Sequence, residues 1–186
     1  MKPPKYLVDT NVILRRSKHE DYDETLFFQY WKNFDKLVSK GIIISTPSVF
    51  KEIEALDKEM YDWAKKHDYM FQSPPDDEFR KESNIIKNIL KGWYYRKKEG
   101  VLWADRDLVI HAKAYNMVLV TQETPNLKQK KPKKYKIPMV CLKLGAYCRC
   151  GKEYTDNVDA NNAPFQCINF SELVRREKLY KRDFVR

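Results

Sequence analysis

Four acidic residues stand where separate segments of the chain change direction: Asp9, Glu52, Asp105 and Glu123. Asp9 closes the short β-prone run Lys5-Tyr6-Leu7-Val8. Glu123 follows a second such run, 117–121, across Gln122. Glu52 falls in the second turn after Thr46-Pro47, a pair suited to open a helix because Thr46 can cap it and Pro47 fits its first turn. Asp105 opens a helical stretch that follows Gly100-Val101-Leu102-Trp103. Carboxylates sharing one site cannot all ionise freely near neutral pH. A divalent cation removes that conflict, and a set of oxygen donors suits Mg2+ or Mn2+. The chain as a whole carries a formal charge of +10, which attracts polyanions. An acidic centre in a basic chain therefore points to a phosphodiester substrate. Bound ions activate a water and stabilise the leaving oxygen.

The elements that must position these acids follow from hydrophobic spacing. Residues 22–40 read as a helix, with Phe27, Trp31, Phe34 and Val38 on one face, widened by Leu26, Tyr30 and Leu37, and Gly41 as its stop. Ile42-Ile43-Ile44 is a β-branched strand. The helix after Thr46 buries Val49, Phe50, Ile53 and Leu56. A short helix covers 58–67. After Ser73-Pro74-Pro75 a long helix runs from 76 to about 98, with Phe79, Ile86, Ile89, Leu90 and Trp93 inward. Acids lie at its start and Arg96, Lys97 and Lys98 at its end, matching the helix dipole. A further helix covers 104–116, 117–121 is a strand, 137–141 a weaker strand, and 170 to about 178 a helix. Strands alternating with helices imply a parallel sheet covered on both faces. In such sheets ligands bind beyond the carboxyl ends of the strands, where Asp9 and Glu123 fall.

Composition narrows the class. At 186 residues with 42% apolar residues, 12 Tyr, 9 Phe and 4 Trp, the chain suits one folded domain and is too aromatic for disorder. We read 1–186 as a single domain with a helical insertion at about 58–100 and a C-terminal extension at about 142–186. No segment is apolar enough to cross a bilayer. The first residues lack an apolar run of signal-peptide length. A cytoplasmic protein without membrane contact is expected, its four cysteines reduced.

The motifs resemble those of PIN-domain ribonucleases. Leu7-Val8-Asp9-Thr10-Asn11-Val12-Ile13 looks like their opening strand and turn. Pro47-Ser48-Val49-Phe50-Lys51-Glu52-Ile53 resembles their second motif. Ala104-Asp105-Arg106-Asp107-Leu108-Val109-Ile110-His111-Ala112 resembles the third, and Leu119-Val120-Thr121-Gln122-Glu123 the fourth. They occur in the family's order over residues 5 to about 141, and the nearest likeness is to toxin-like, VapC-type PIN proteins. The resemblance implies a three-layer α/β/α fold on a five-stranded parallel sheet. It also implies Mg2+- or Mn2+-dependent cleavage of RNA, with Asp9, Glu52, Asp105 and Glu123 as metal-binding and catalytic acids. Asn11 and Thr121 resemble the polar residues that position the acids or the water. The family more often has Asp at the place of Glu123. Asp107 competes for that role, but in a helix it points about 200° away from Asp105. The likeness further implies a toxin with a small acidic antitoxin-like partner, and it leaves a homodimer open.

Past Glu123 lie six lysines, Lys128, Lys130, Lys131, Lys133, Lys134 and Lys136, in a stretch with little apolar content. We read them as an RNA-backbone grip, each phosphate pairing adding salt dependence, against the plain alternative of a solvated loop. Cys148-Arg149-Cys150, with Cys141 and Cys167, lacks the paired C-x2–4-C knuckles usual for zinc. Its cysteines read as buried thiols. His111 reads as structural. Trp31, Trp63, Trp93 and Trp103 read mainly as core, with base stacking by Trp103 the less favoured role. The rival function is a catalytically inactive RNA- or partner-binding module on the same scaffold, although a pure phosphate binder gains nothing from four acids. A phosphatase with an aspartyl nucleophile needs Asp-x-Asp after the first strand, and Asn11 holds the second position.

Overall fold

A computed structural model describes residues 5–95, 104–151 and 159–182. In chain order the elements are β1 (Tyr6–Val8), α1 (Thr10–Leu14), α2 (Phe28–Ser39), β2 (Ile43–Ile44), α3 (Pro47–Leu56), α4 (Lys58–Lys66), α5 (Asp76–Ile89), α6 (Lys91–Tyr94), α7 (Ala104–Ala114), β3 (Val118–Val120), α8 (Ile137–Lys143), β4 (Tyr147–Arg149), β5 (Gln166–Ile168) and α9 (Phe170–Glu177). The five strands form one all-parallel sheet in the order β2-β1-β3-β5-β4. Helices flank it in a three-layer α/β/α arrangement.

β1, β2 and β3 are buried at every position. This is why they read as continuous apolar runs rather than as alternation. One register line crosses the centre, Leu7 beside Leu119, Leu119 beside Cys167 and Cys167 beside Cys148. α7 packs on β1 and β3 and against α8, and α8 packs on β4 and β5. α2 and α9 meet through Trp31, whose ring stacks on Phe170 at 4.9 Å between centroids. From β1 the chain crosses to β2 on one side, and β3 lies on the other. The crevice beyond the carboxyl ends of β1 and β3 is therefore a switch point, where open parallel sheets bind ligands. Among the described residues, no helix is long and apolar enough to cross a membrane.

The elements depart from the sequence expectation in five places. Residues 137–141 form α8 and not a strand. Pro138 sits in the first turn, where its missing N–H costs nothing, and the run is buried from Ile137 to Cys141, so periodicity does not separate helix from strand. α2 begins at Phe28 rather than at 22. The preceding turns are held by Asp23, which accepts from the His19 and Thr25 amides, and by Tyr22, whose carbonyl accepts from the Trp31 indole. Leu26 is left 79% exposed there. The long helix breaks at Leu90 into α5 and α6, because Leu90 leaves helical geometry at φ −126° and ψ 46°. Ile89 faces solvent while Ile86, Leu90 and Trp93 go inward, and Leu56 is likewise exposed. Finally, the stretch at 142–186 read as an extension supplies β4 and β5, with β5 hydrogen-bonded between β3 and β4. The helix end at Arg96, Lys97 and Lys98 and the side chain of Trp103 lie outside the described residues.

Candidate active site

Asp9 leaves β1 in extended conformation as the N-cap of α1, its amide donating to the Val120 carbonyl of β3. That bond ties the first acid to the neighbouring strand end. Its side chain is buried, with the residue only 3% exposed. Asn11 donates to Asp9 Oδ2 at 2.6 Å and Thr121 Oγ1 donates to the same oxygen at 2.8 Å. Thr121 in turn accepts from Asn11 Nδ2 and from the Glu123 amide, each at 3.2 Å. Asn11 Oδ1 accepts the Gln122 amide at 2.8 Å. Asn11 and Thr121 thus lock the turn after β1 to the turn after β3 and fix one oxygen of Asp9.

Glu52 reaches the same edge from α3. That helix starts as its sequence suggests, with Pro47 in the first turn and Thr46 accepting the Val49 amide. Glu52 is buried. Its Oε2 accepts from Thr10 Oγ1 at 2.7 Å and its Oε1 from the Ala104 amide at 3.4 Å. One carboxylate therefore joins the start of α1 to the start of α7, whose second residue is Asp105. Glu123 Oε2 accepts the Ile137 amide at 2.8 Å, satisfying the N-terminus of α8, and Lys136 Nζ lies 3.8 Å from its Oε1.

The electrostatics tie the four acids together. Burial pushes the Asp9 carboxyl well above its ordinary value. The charges of Asp105, Glu123 and Glu52 push it further, against the Thr121 hydrogen bond. Asp107, the competitor for the fourth position, is not among the leading influences on Asp9. It turns to Ser48 Oγ at 2.9 Å and Arg106 Nε at 3.5 Å. The donor set is all oxygen, which suits a hard cation. Its spacing is open. Among the described residues, the only group of three or more possible ligand residues whose donor atoms all lie within 4.8 Å of one another consists of cysteines. An ion among the acids therefore needs water between itself and some of them, as Mg2+ commonly keeps.

The six loop lysines are exposed. They are carried by a built turn rather than by a loose loop. Pro132–Lys134 forms one turn of 3-10 helix, Tyr135 is buried, and the turn packs on α6. There the turn lies against Gly92, where an added Cβ would meet Pro132 Cβ at an ordinary contact distance of 3.7 Å. Spacing alone misses Thr10, although a hydroxyl directly after the first acid is a usable signal. It also misses the dual grip of Glu52, which depends on a partner 52 residues away.

Such an assembly, acids at the switch point of a parallel sheet, defines an α/β protein with a candidate cation site. The chain belongs to the family described as Domain of unknown function (DUF4411), whose model matches residues 6–161. No curated protein and no solved structure matches it.

Proposed function

We propose that this protein is a divalent-metal-dependent endoribonuclease that hydrolyses RNA phosphodiester bonds. The observation that carries the reading is the convergence of charge on Asp9, a buried carboxyl flanked by Glu52, Asp105 and Glu123. A fold seldom keeps such an acid deep among three others unless a cation relieves it. Mg2+ or Mn2+ bound there supplies an activated water and stabilises the departing oxygen. Asp9 is the inner ligand of the set, oriented by Asn11 and Thr121. Glu52 and Glu123, which anchor the starts of α7 and α8, and partly buried Asp105 complete it. The lysine turn holds the RNA backbone beside that edge. The basic charge also suits an acidic antitoxin-like partner, and loss of cleavage on adding such a protein would mark the enzyme as a toxin.

The test is cleavage of labelled RNA by purified protein. Activity is expected with Mg2+ or Mn2+, is lost in excess EDTA, and returns when either ion is restored in excess. Asp9→Asn is expected to be inactive while folded. Undiminished cleavage in EDTA, or by the Asp9→Asn variant, overturns the proposal. RNA binding without cleavage under every metal condition would instead favour the inactive binding module.

A further inference from the structure

A second cluster of metal-ligating side chains lies on the other half of the sheet, away from the acids' switch point. Cys148 and Cys150 flank Arg149 on β4 and just beyond it, so both side chains project from one face of the strand. β4 and β5 pair with Cys148 beside Cys167, and side chains paired in register on neighbouring strands share a face. The sulfurs of Cys148, Cys150 and Cys167 all lie within 4.8 Å of one another, with Cys150 and Cys167 3.3 Å apart. Above them α8 packs on β4 and β5 and carries Cys141, which stands outside that close group of three but hydrogen-bonds to Cys167. All four are buried, and none is in a disulfide.

We propose that Cys141, Cys148, Cys150 and Cys167 form a structural site for one thiophilic divalent ion, zinc, that clamps α8 onto β4 and β5. Zinc takes four cysteine sulfurs at about 2.3 Å in a tetrahedron, which sets the sulfurs roughly 3.8 Å apart. Cys150 and Cys167 stand near that value at 3.3 Å, no pair among the three strand sulfurs exceeds 4.8 Å, and a small inward shift of α8 would bring Cys141 in as the fourth ligand. Cysteines that only fill space have no reason to aim from three separate elements at one point. All the sulfur in the cluster is soft, so it selects zinc over the Mg2+ or Mn2+ suited to the acids. Binding balances by proton release, since each of the four thiols gives its proton to solvent as its sulfur takes up the ion. The result is a tetrathiolate with two net negative charges. α8 gains most from the clamp. Cys141 lies one turn beyond Ile137, whose amide meets Glu123, so the ion would steady the helix start that orients the fourth acid.

The experiment measures metal in the whole chain, purified under reducing conditions without added metal. About one zinc per chain is expected. Protein stripped with chelator and refilled with Co2+ should show the intense near-ultraviolet sulfur-to-cobalt absorption of a tetrahedral thiolate site. Asp9→Asn should keep both signals, which separates this site from the acids. Cys167→Ser should lose at least nine-tenths of the bound zinc. Because that variant can also fail through misfolding, the wild-type chain carries a second measurement. Its native thiols should react with a thiol reagent at least ten-fold faster once chelator is present. Substoichiometric zinc together with no thiolate band in the Co2+-treated wild type overturns the site. So does a Cys150–Cys167 disulfide as the predominant form of freshly reduced and purified protein. Failure of this test leaves the ribonuclease reading intact, since the two sites share no ligand.

Discussion

Thr121 and Asp9 stand at the ends of adjacent strands, and the Thr121 hydroxyl donates to Asp9 Oδ2 at 2.8 Å. With the Asn11 amide, which donates to the same oxygen at 2.6 Å, this bond favours the ionised Asp9 carboxyl, against burial and three neighbouring acids that favour its protonated form. Asp9 is thus stabilised in place but strained in charge.

The pH dependence follows from the direction of that shift. The folded carboxyl holds its proton to a higher pH than the unfolded one, whose ordinary value is 3.8. Stability from this group is fully present below that value and is lost as pH rises through the raised folded value. Asp9→Asn removes the titration. Without metal, we expect the variant to melt higher than wild type at neutral pH, with the gain shrinking as pH falls toward 4. Thermal melts in chelator across that range check it. A lower melting temperature at neutral pH would show Asp9 to be a structural carboxylate.

Legibility differs between the two halves of the sheet. β1, β2 and β3 are apolar runs followed by polar turns, so sequence alone places their carboxyl ends, and with them Asp9 and Glu123. The helix signal Thr46-Pro47 places Glu52. β4 and β5 are three residues each, Tyr-Cys-Arg and Gln-Cys-Ile. They are too short to show a period, and β5 becomes a strand through its neighbours on both sides. α8 is hidden for the opposite reason, since a run buried throughout has no polar face to give its period. The cysteine cluster is hidden because its members are joined by strand register and by α8, and not by spacing along the chain.

Glu123 has two separable jobs, facing the acidic centre and accepting the Ile137 amide at the start of α8. Glu123→Gln keeps an acceptor for that amide, and Glu123→Ala removes it. Loss of a cap of this kind costs about 1 kcal/mol. Denaturant titration should show Glu123→Ala destabilised by roughly that amount and Glu123→Gln by clearly less, since its amide oxygen still accepts the Ile137 amide. RNA cleavage should fall at least ten-fold in both. Full activity in Glu123→Gln would reduce the residue to a helix cap.

His111 is buried on α7, with its ring edge-on to Tyr115. Burial lowers its pKa from 6.5 to about 4. The folded state therefore resists a proton that the unfolded chain accepts, and stability is lost as pH falls from 6.5 toward 4. A shift of that size corresponds to about 3 kcal/mol at the acid end. Replacing His111 by Gln should flatten that part of the stability profile, measured by denaturant unfolding at intervals between about pH 7 and 4. An equally steep loss in the variant would assign the acid sensitivity to other groups.

On the proposed ribonuclease reading, the lysine turn grips the RNA backbone. Lys130, Lys131 and Lys133 are exposed on a turn fixed by buried Tyr135 and by Pro132 against Gly92, so their charges sit on a stable platform. Phosphate contacts position a strand without reading its sequence. Changing the three to Gln should weaken binding to unrelated single-stranded RNAs by similar factors. If all three touch phosphate, the slope of log affinity against log salt should flatten by about 2, roughly 0.7 for each phosphate no longer neutralised. Folding stability should change by less than about 0.5 kcal/mol, as for exposed sites without special partners. The cleavage rate at saturating RNA should stay within about two-fold, because the acids are untouched and only uniform binding is removed. Affinity measured at four or five salt concentrations, on two RNAs of different sequence, separates the outcomes. An unchanged slope with unchanged affinity would make the turn an ordinary solvated surface. Weakening confined to one RNA would mean that these lysines read sequence.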